Sequence, residues 1–176
     1  MSKLPSVVLI FALALVALVP WTAAAQKEDK GDKVRITTVD GVDLHAKFYA
    51  CTSGKIKNPP TILMLHPLGV GESSAKKNWV ALAEKLQEKA SVLTFDFRGH
   101  GLSTDIAPET FWKIKFNQMP QHVKDVNKAI LGNKASLEFK ELQKAYYPAI
   151  INDIAACKAY LDRKNDGGSC NTSSFI

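Results

Sequence analysis

The chain has 176 residues, 46% hydrophobic and 23% charged, with a formal net charge of +6. That composition fits a single globular domain with a full core and argues against disorder. The surplus lysines are scattered, without a block of like charge or an aromatic-interleaved basic stripe, so nothing here points to nucleic acid as a partner.

The first residues read as a targeting segment. Lys3 precedes an apolar run from Val7 to Val19, Pro20 breaks it, and Ala23-Ala24-Ala25 supplies small residues for a signal peptidase. The run is shorter than the roughly 20 residues a spanning helix needs. The expectation is therefore cleavage after Ala25 and export to the periplasm or the exterior, with no stable membrane anchor afterwards. Gln26 in place of a cysteine argues against a lipid anchor, and residues 26–33 form a polar linker.

Two β-rich runs follow, Val34 to Val39 and Val42 to Tyr49, joined by Asp40-Gly41. Asp-Gly between alternating runs predicts a two-residue hairpin turn, because a type I′ turn needs positive φ at both central positions. After Pro59-Pro60, "TILMLHP" is continuously apolar, as expected of a parallel strand covered on both faces. Trp79, Leu82, Ala83 and Leu86 then mark one face of a helix, and "ASVLTFDF" is a second apolar strand. Strand, helix and strand in that order make a βαβ crossover, which predicts an α/β fold with a mostly parallel sheet and flanking helices.

Between Asp105 and Tyr147 the pattern loosens into two short amphipathic stretches, Val123, Val126, Ile130 and then Phe139, Leu142, Tyr146. Pro148 opens a better-marked helix with Ile150, Ile154, Cys157 and Leu161 on one stripe, stopped by Gly167-Gly168. "NTSSFI" predicts the next strand. Cys51, Cys157 and Cys170 cannot all pair within one chain. Cys157 and Cys170 are spaced to bridge the helix to its following loop, and the three read equally well as small buried apolar residues. The histidines lack any metal-ligand spacing, so no metal is expected.

Two stretches carry chemistry: "LMLHPLGVG", an apolar strand running into His66-Pro67-Leu68-Gly69, and "TFDFRGHGLS", a second running into Asp96-Phe97-Arg98-Gly99-His100-Gly101. In this order, with one helix between them, they resemble the amino-terminal half of the α/β-hydrolase family over residues 34–176, with a variable helical insert at about 105–147. The first is similar to that family's loop after its third strand. The second is similar to its Asp-x-Arg-Gly-x-Gly-x-Ser segment.

The resemblance implies that the Leu68 backbone N–H is the oxyanion-hole donor, with Pro67 standing where the family usually has glycine. It implies structural roles for His66 as a loop organiser and for Gly69, Asp96, Arg98, Gly99 and Gly101. Asp96 and Arg98 are expected to tie their turn together. His100 lies in the turn and is not expected to be a base. Phe111, Trp112 and Phe116, in the insert, are candidates for a substrate pocket.

"GVGES" lacks the third glycine of a dinucleotide loop and the lysine of a P-loop. "GGSCN" resembles a nucleophile motif, but it sits between a helix and a strand, whereas the elbow needs a strand first and a helix after, so Ser169 reads as a loop serine.

By the same resemblance, the strand begun at "SFI" leads to the nucleophile, with the acid and base later. The expectation is an exported protein whose intact form is a serine hydrolase of small esters or amides, needing no cofactor, while the 176 residues alone are inactive. The alternative is a non-catalytic binding module that forms a homodimer through an open sheet edge.

Overall fold

The structure, a computed structural model, describes residues 31–176. The expected signal peptide and residues 26–30 of the expected linker lie outside the described residues, while Asp32 and Lys33, expected in the linker, already belong to the first strand. Five strands form one sheet: β1 (Asp32–Thr37), β2 (Asp43–Tyr49), β3 (Pro60–Met64), β4 (Ser91–Phe95) and β5 (Asn171–Phe175), in the order β1-β2-β4-β3-β5. The helices are α1 (Lys77–Leu86), α2 (Pro108–Phe111), α3 (Val126–Leu131) and α4 (Ile151–Asp166).

The α/β character is as expected, but the sheet is mixed. β3 pairs in parallel with β4 and β5, while β2 runs antiparallel to both β1 and β4. The difference comes from β2, which sets Ala46 opposite Phe95 and Tyr49 opposite Val92 across a long sequence separation. Nothing local in either strand specifies that pairing.

The hairpin turn is also different. Thr38 and Val42 close it, with Thr38 N–H donating to Val42 O at 2.9 Å and Gly41 N–H to Thr38 O at 3.0 Å. The loop is thus Val39-Asp40-Gly41, with positive φ at Gly41 and not at Asp40. Asp40 is 98% buried (2% exposed) because its carboxylate is used elsewhere, as described below.

Every residue of β4 is buried, as its apolar run requires. On one face Leu93 and Phe95 join Leu44, Ala46 and Phe48 of β2, Cys157 and Leu161 of α4, and the excursion between β4 and α4. On the other face Tyr49, Met64 and Val92 pack against Ala83 of α1, with Trp79 and Leu86 at the margins. Leu82, expected on that helix stripe, is exposed, because α1 touches the sheet along a line only as wide as Ala83.

The excursion keeps one short helix, α3, and otherwise consists of α2 and 3-10 turns. Its backbone bonds go outward: Leu137 N–H donates to Thr104 O at 2.7 Å and Phe139 N–H to Gly99 O at 2.8 Å. Those donors serve the loop after β4 where a second helix was expected. A 3-10 turn, Lys144–Ile150, holds Pro148, so α4 begins three residues later than the proline suggested. Cys51, Cys157 and Cys170 are all free thiols, the last two buried, so the proposed bridge is absent and the buried-apolar reading holds for that pair. Burial, with the nearby Asp153 charge, pushes the Cys157 thiol up.

Candidate functional site

Parallel neighbours β3 and β4 end at the same edge of the sheet, so the loops that follow them meet there. This is the edge at which open α/β sheets place their ligands. Both predicted motifs lie in these loops.

His66, buried at the end of β3, spans the gap. Its Nδ1–H donates to Pro67 O at 2.7 Å, and its Nε2 accepts the N–H of Phe97, in the β4 loop, at 3.1 Å. His100, equally buried, spans it in the opposite direction. Its Nδ1–H donates to Arg98 O at 3.0 Å, and its Nε2 accepts the N–H of Gly69, in the β3 loop, at 3.1 Å. The rings meet edge to face, 5.1 Å between centroids, and Phe139 covers His100 at 4.2 Å. Burial first, then the neighbouring His66, holds the His100 imidazole below its ordinary range. With both nitrogens of each ring engaged, neither histidine is placed as a general base.

Asp96 is the third tie between the loops. Its carboxylate accepts from Ser73 Oγ at 2.9 Å, from Ser74 N–H at 2.6 Å and Oγ at 2.9 Å, and from Leu102 N–H at 3.1 Å. Gly101 sits against this carboxylate with φ +49°, and a Cβ there would collide with Oδ2. Gly99, at φ +76°, lets Phe139 N approach within 2.6 Å of where a Cβ would stand.

Arg98 does not pair with Asp96 as expected. It turns to the other side of the loop, fully buried. Nη1 and Nη2 donate to Asp40 at 2.6 and 3.0 Å, Nε donates to Asp153 at 2.8 Å, and Nη1 also reaches Tyr146 Oη at 2.8 Å. The Arg98 N–H donates to the second Asp153 oxygen at 2.9 Å. Two carboxylates against one guanidinium leave one negative charge in surplus. Burial opposes ionisation of Asp40, but bonds from Arg98 and Thr38 outweigh it and hold the carboxyl below its usual range. Burial wins at Asp153 and pushes it up against the pull of Arg98. Burial also raises the Tyr146 hydroxyl to about 12.

Asp40, Tyr146 and Asp153 were missed by sequence reasoning. Asp153 did leave a signal, since it shares the α4 stripe with Ile150, Cys157 and Leu161 and so placed a charge on the core face.

Leu68 is 39% exposed on the β3 loop, and its N–H makes no hydrogen bond among the described residues. Beside the two loops lies a cavity of about 100 Å³ lined by Gly69, Glu72, His100, Glu138, Phe139 and Lys140, among others. The expected pocket aromatics are elsewhere. Phe111 is fully buried, Trp112 is fixed by its Nε1–H to Lys134 O at 2.8 Å, and Phe116 lies tilted against the His122 ring at 3.9 Å between centroids. All three pack in or against the core below the sheet. Ser169 lies between α4 and β5, as expected of a loop serine, and its carbonyl accepts from Ser91 Oγ at 2.9 Å. Among the described residues no serine hydroxyl bonds a histidine ring, and no cluster of His, Cys, Asp or Glu is arranged to hold a metal ion.

No protein-family model and no curated protein matches the chain. Among solved structures, the chain is similar over 43% of its length to a lidless α/β serine hydrolase of Xanthomonas campestris, at 24% identity and a TM-score of 0.37. It is similar over 42% of its length to an esterase of Pyrococcus furiosus, at 31% identity and a TM-score of 0.32. The matched parts span 35% and 26% of those two proteins, so their overlays assign no activity to this chain.

Proposed function

We propose that this chain is the amino-terminal part of an exported serine hydrolase of small esters or amides, cleaved after Ala25, with the Leu68 N–H as one oxyanion donor. One observation carries the reading. In the loop after β3, Gly69 N–H is consumed by His100 while Leu68 N–H, one residue earlier, has no partner among the described residues and lies on an exposed segment at the strand ends. An N–H held ready where charge will develop is what stabilises the tetrahedral intermediate of acyl transfer. Pro67 lacks an N–H and fixes its own φ, so it does not compete with Leu68 as donor. The nucleophile, acid and base then come from segments beyond Ile176, and the chemistry needs no cofactor.

The test is to recover the native protein from the envelope or medium and treat it with a fluorophosphonate. A reactive serine displaces fluoride and keeps the phosphonyl group. The expected product begins at Gln26 and carries the label on a serine beyond Ile176. Leu68→Pro in that enzyme lowers kcat by about 10²–10³-fold, the typical loss for one oxyanion donor. Native protein that extends past Ile176 and takes no label overturns the hydrolase reading.

A second reading rests on β5. It is an edge strand among the described residues, and an open strand edge is suited to pairing with a second copy. A native chain ending at Ile176 that sediments as a dimer favours this binding module, and a monomer removes it.

A further inference from the structure

The two buried histidines are arranged reciprocally. His66 belongs to the β3 loop and accepts an N–H from the β4 loop, while His100 belongs to the β4 loop and accepts an N–H from the β3 loop. Each ring's other nitrogen is anchored to a carbonyl of its own loop, at Pro67 and Arg98. Those anchors fix both rings with Nδ1 as donor and Nε2 as acceptor.

We propose that His66 and His100 are positioning residues forming a cross-lock that sets the Leu68 loop, and that adding a proton to Nε2 of His100 opens it. A protonated Nε2 carries a hydrogen where the lock needs a lone pair, so it faces the backbone N–H donor to donor. The bond is then replaced by repulsion between two donors.

The surroundings decide where this happens. Facing His100 are His66 from the β3 loop, Asp96 from its own loop, Glu72 beyond Gly69, and Glu138 and Lys140 around the cavity wall. Burial, the largest influence, and His66 oppose the charged ring, while its bond to the Arg98 carbonyl, Asp96 and Glu72 favour it. The net direction for His100 is downward. The lock's contribution is therefore full above the ordinary imidazole value of about 6.5 and is lost as the pH falls below it.

The use of the lock for catalysis rests on the oxyanion reading; the lock itself does not. Failure of fluorophosphonate labelling would remove the first and leave the second intact. The test uses the full chain, ¹⁵N-labelled, followed by amide spectra between about pH 8 and pH 5. The Gly69 amide should titrate with the His100 ring. His100→Phe should speed hydrogen exchange at Gly69 about tenfold with the amides of β2 and β4 still protected. His100→Gln, which keeps an acceptor near the Nε2 position, should bring Gly69 back to near the native rate. Unchanged exchange in His100→Phe, or equal loss in both variants, overturns the proposal. Should His100→Phe fail to fold, the native titration decides alone: a Gly69 amide that stays flat while His100 titrates overturns it.

Discussion

Asp96 and Arg98 stand two residues apart on one loop, both buried, and they serve opposite halves of the molecule. Asp96 faces outward along the strand ends and is satisfied only by uncharged donors, from Ser73, Ser74 and Leu102. Arg98 faces the core and is satisfied by two carboxylates and a phenol from remote segments. The first arrangement joins two loops to each other. The second joins that pair of loops to the hairpin turn, to α4 and to the excursion. One loop is thus held from both sides, and the two holds differ in how hard they are to lose, because a stranded buried charge is worse than a missing neutral bond.

The largest expected effect is on the Arg98 side. Arg98→Met leaves Asp40 and Asp153 buried without their cation and should destabilise the chain by about 3–5 kcal/mol in urea unfolding. That is a large share of a typical domain's stability. Next is Gly101→Ala, which forces a Cβ into the Asp96 carboxylate at positive φ and should lose about 1–3 kcal/mol by the same measurement. Smallest is Ser74→Ala, which removes one of two Ser74 donors to Asp96 and should lose about 0.5–1.5 kcal/mol. If Ser74→Ala equals Arg98→Met, the contrast between the two holds is wrong.

The pH dependence sharpens the same contrast. Asp40 has a folded pKa below its unfolded value, so its contribution is full above the unfolded value and is lost as the pH falls through the folded one. Asp153 has a folded pKa above its unfolded value, so its ionisation weakens the fold and acid relieves that penalty. The two partly cancel in acid. Asp153→Asn removes the relieving term, and stability measured from about pH 6 down to pH 3 should then fall more steeply than in the native chain.

The parts of the fold visible in sequence were those set locally. β4 announced itself as an apolar run, α4 by its stripe, and the two motif loops by their place after strands. What sequence reading misjudged depended on partners far along the chain. Asp40-Gly41 looked like a two-residue turn because its composition favours one, but Asp40 is drawn to Arg98, 58 residues away, and the loop is longer. The antiparallel seam between β2 and β4 has no local signature, so the sheet read as mostly parallel. Arg98 was expected to close its own turn with Asp96, since nothing in the motif reveals Asp153. At the site, the place of the two loops after β3 and β4 was legible in the sequence, whereas the acceptor role of His100 needed the two loops to be brought together.

Among the described residues the Leu68 N–H in the β3 loop has no partner, while the next, Gly69 N–H, is taken by His100. Residue-resolved amide hydrogen exchange of the native chain at neutral pH tests it directly. Leu68 should exchange at least about tenfold faster than Gly69, with Phe97 as slow as Gly69. Leu68 as protected as Gly69 would mean its N–H has a partner of its own, and the oxyanion assignment would fall.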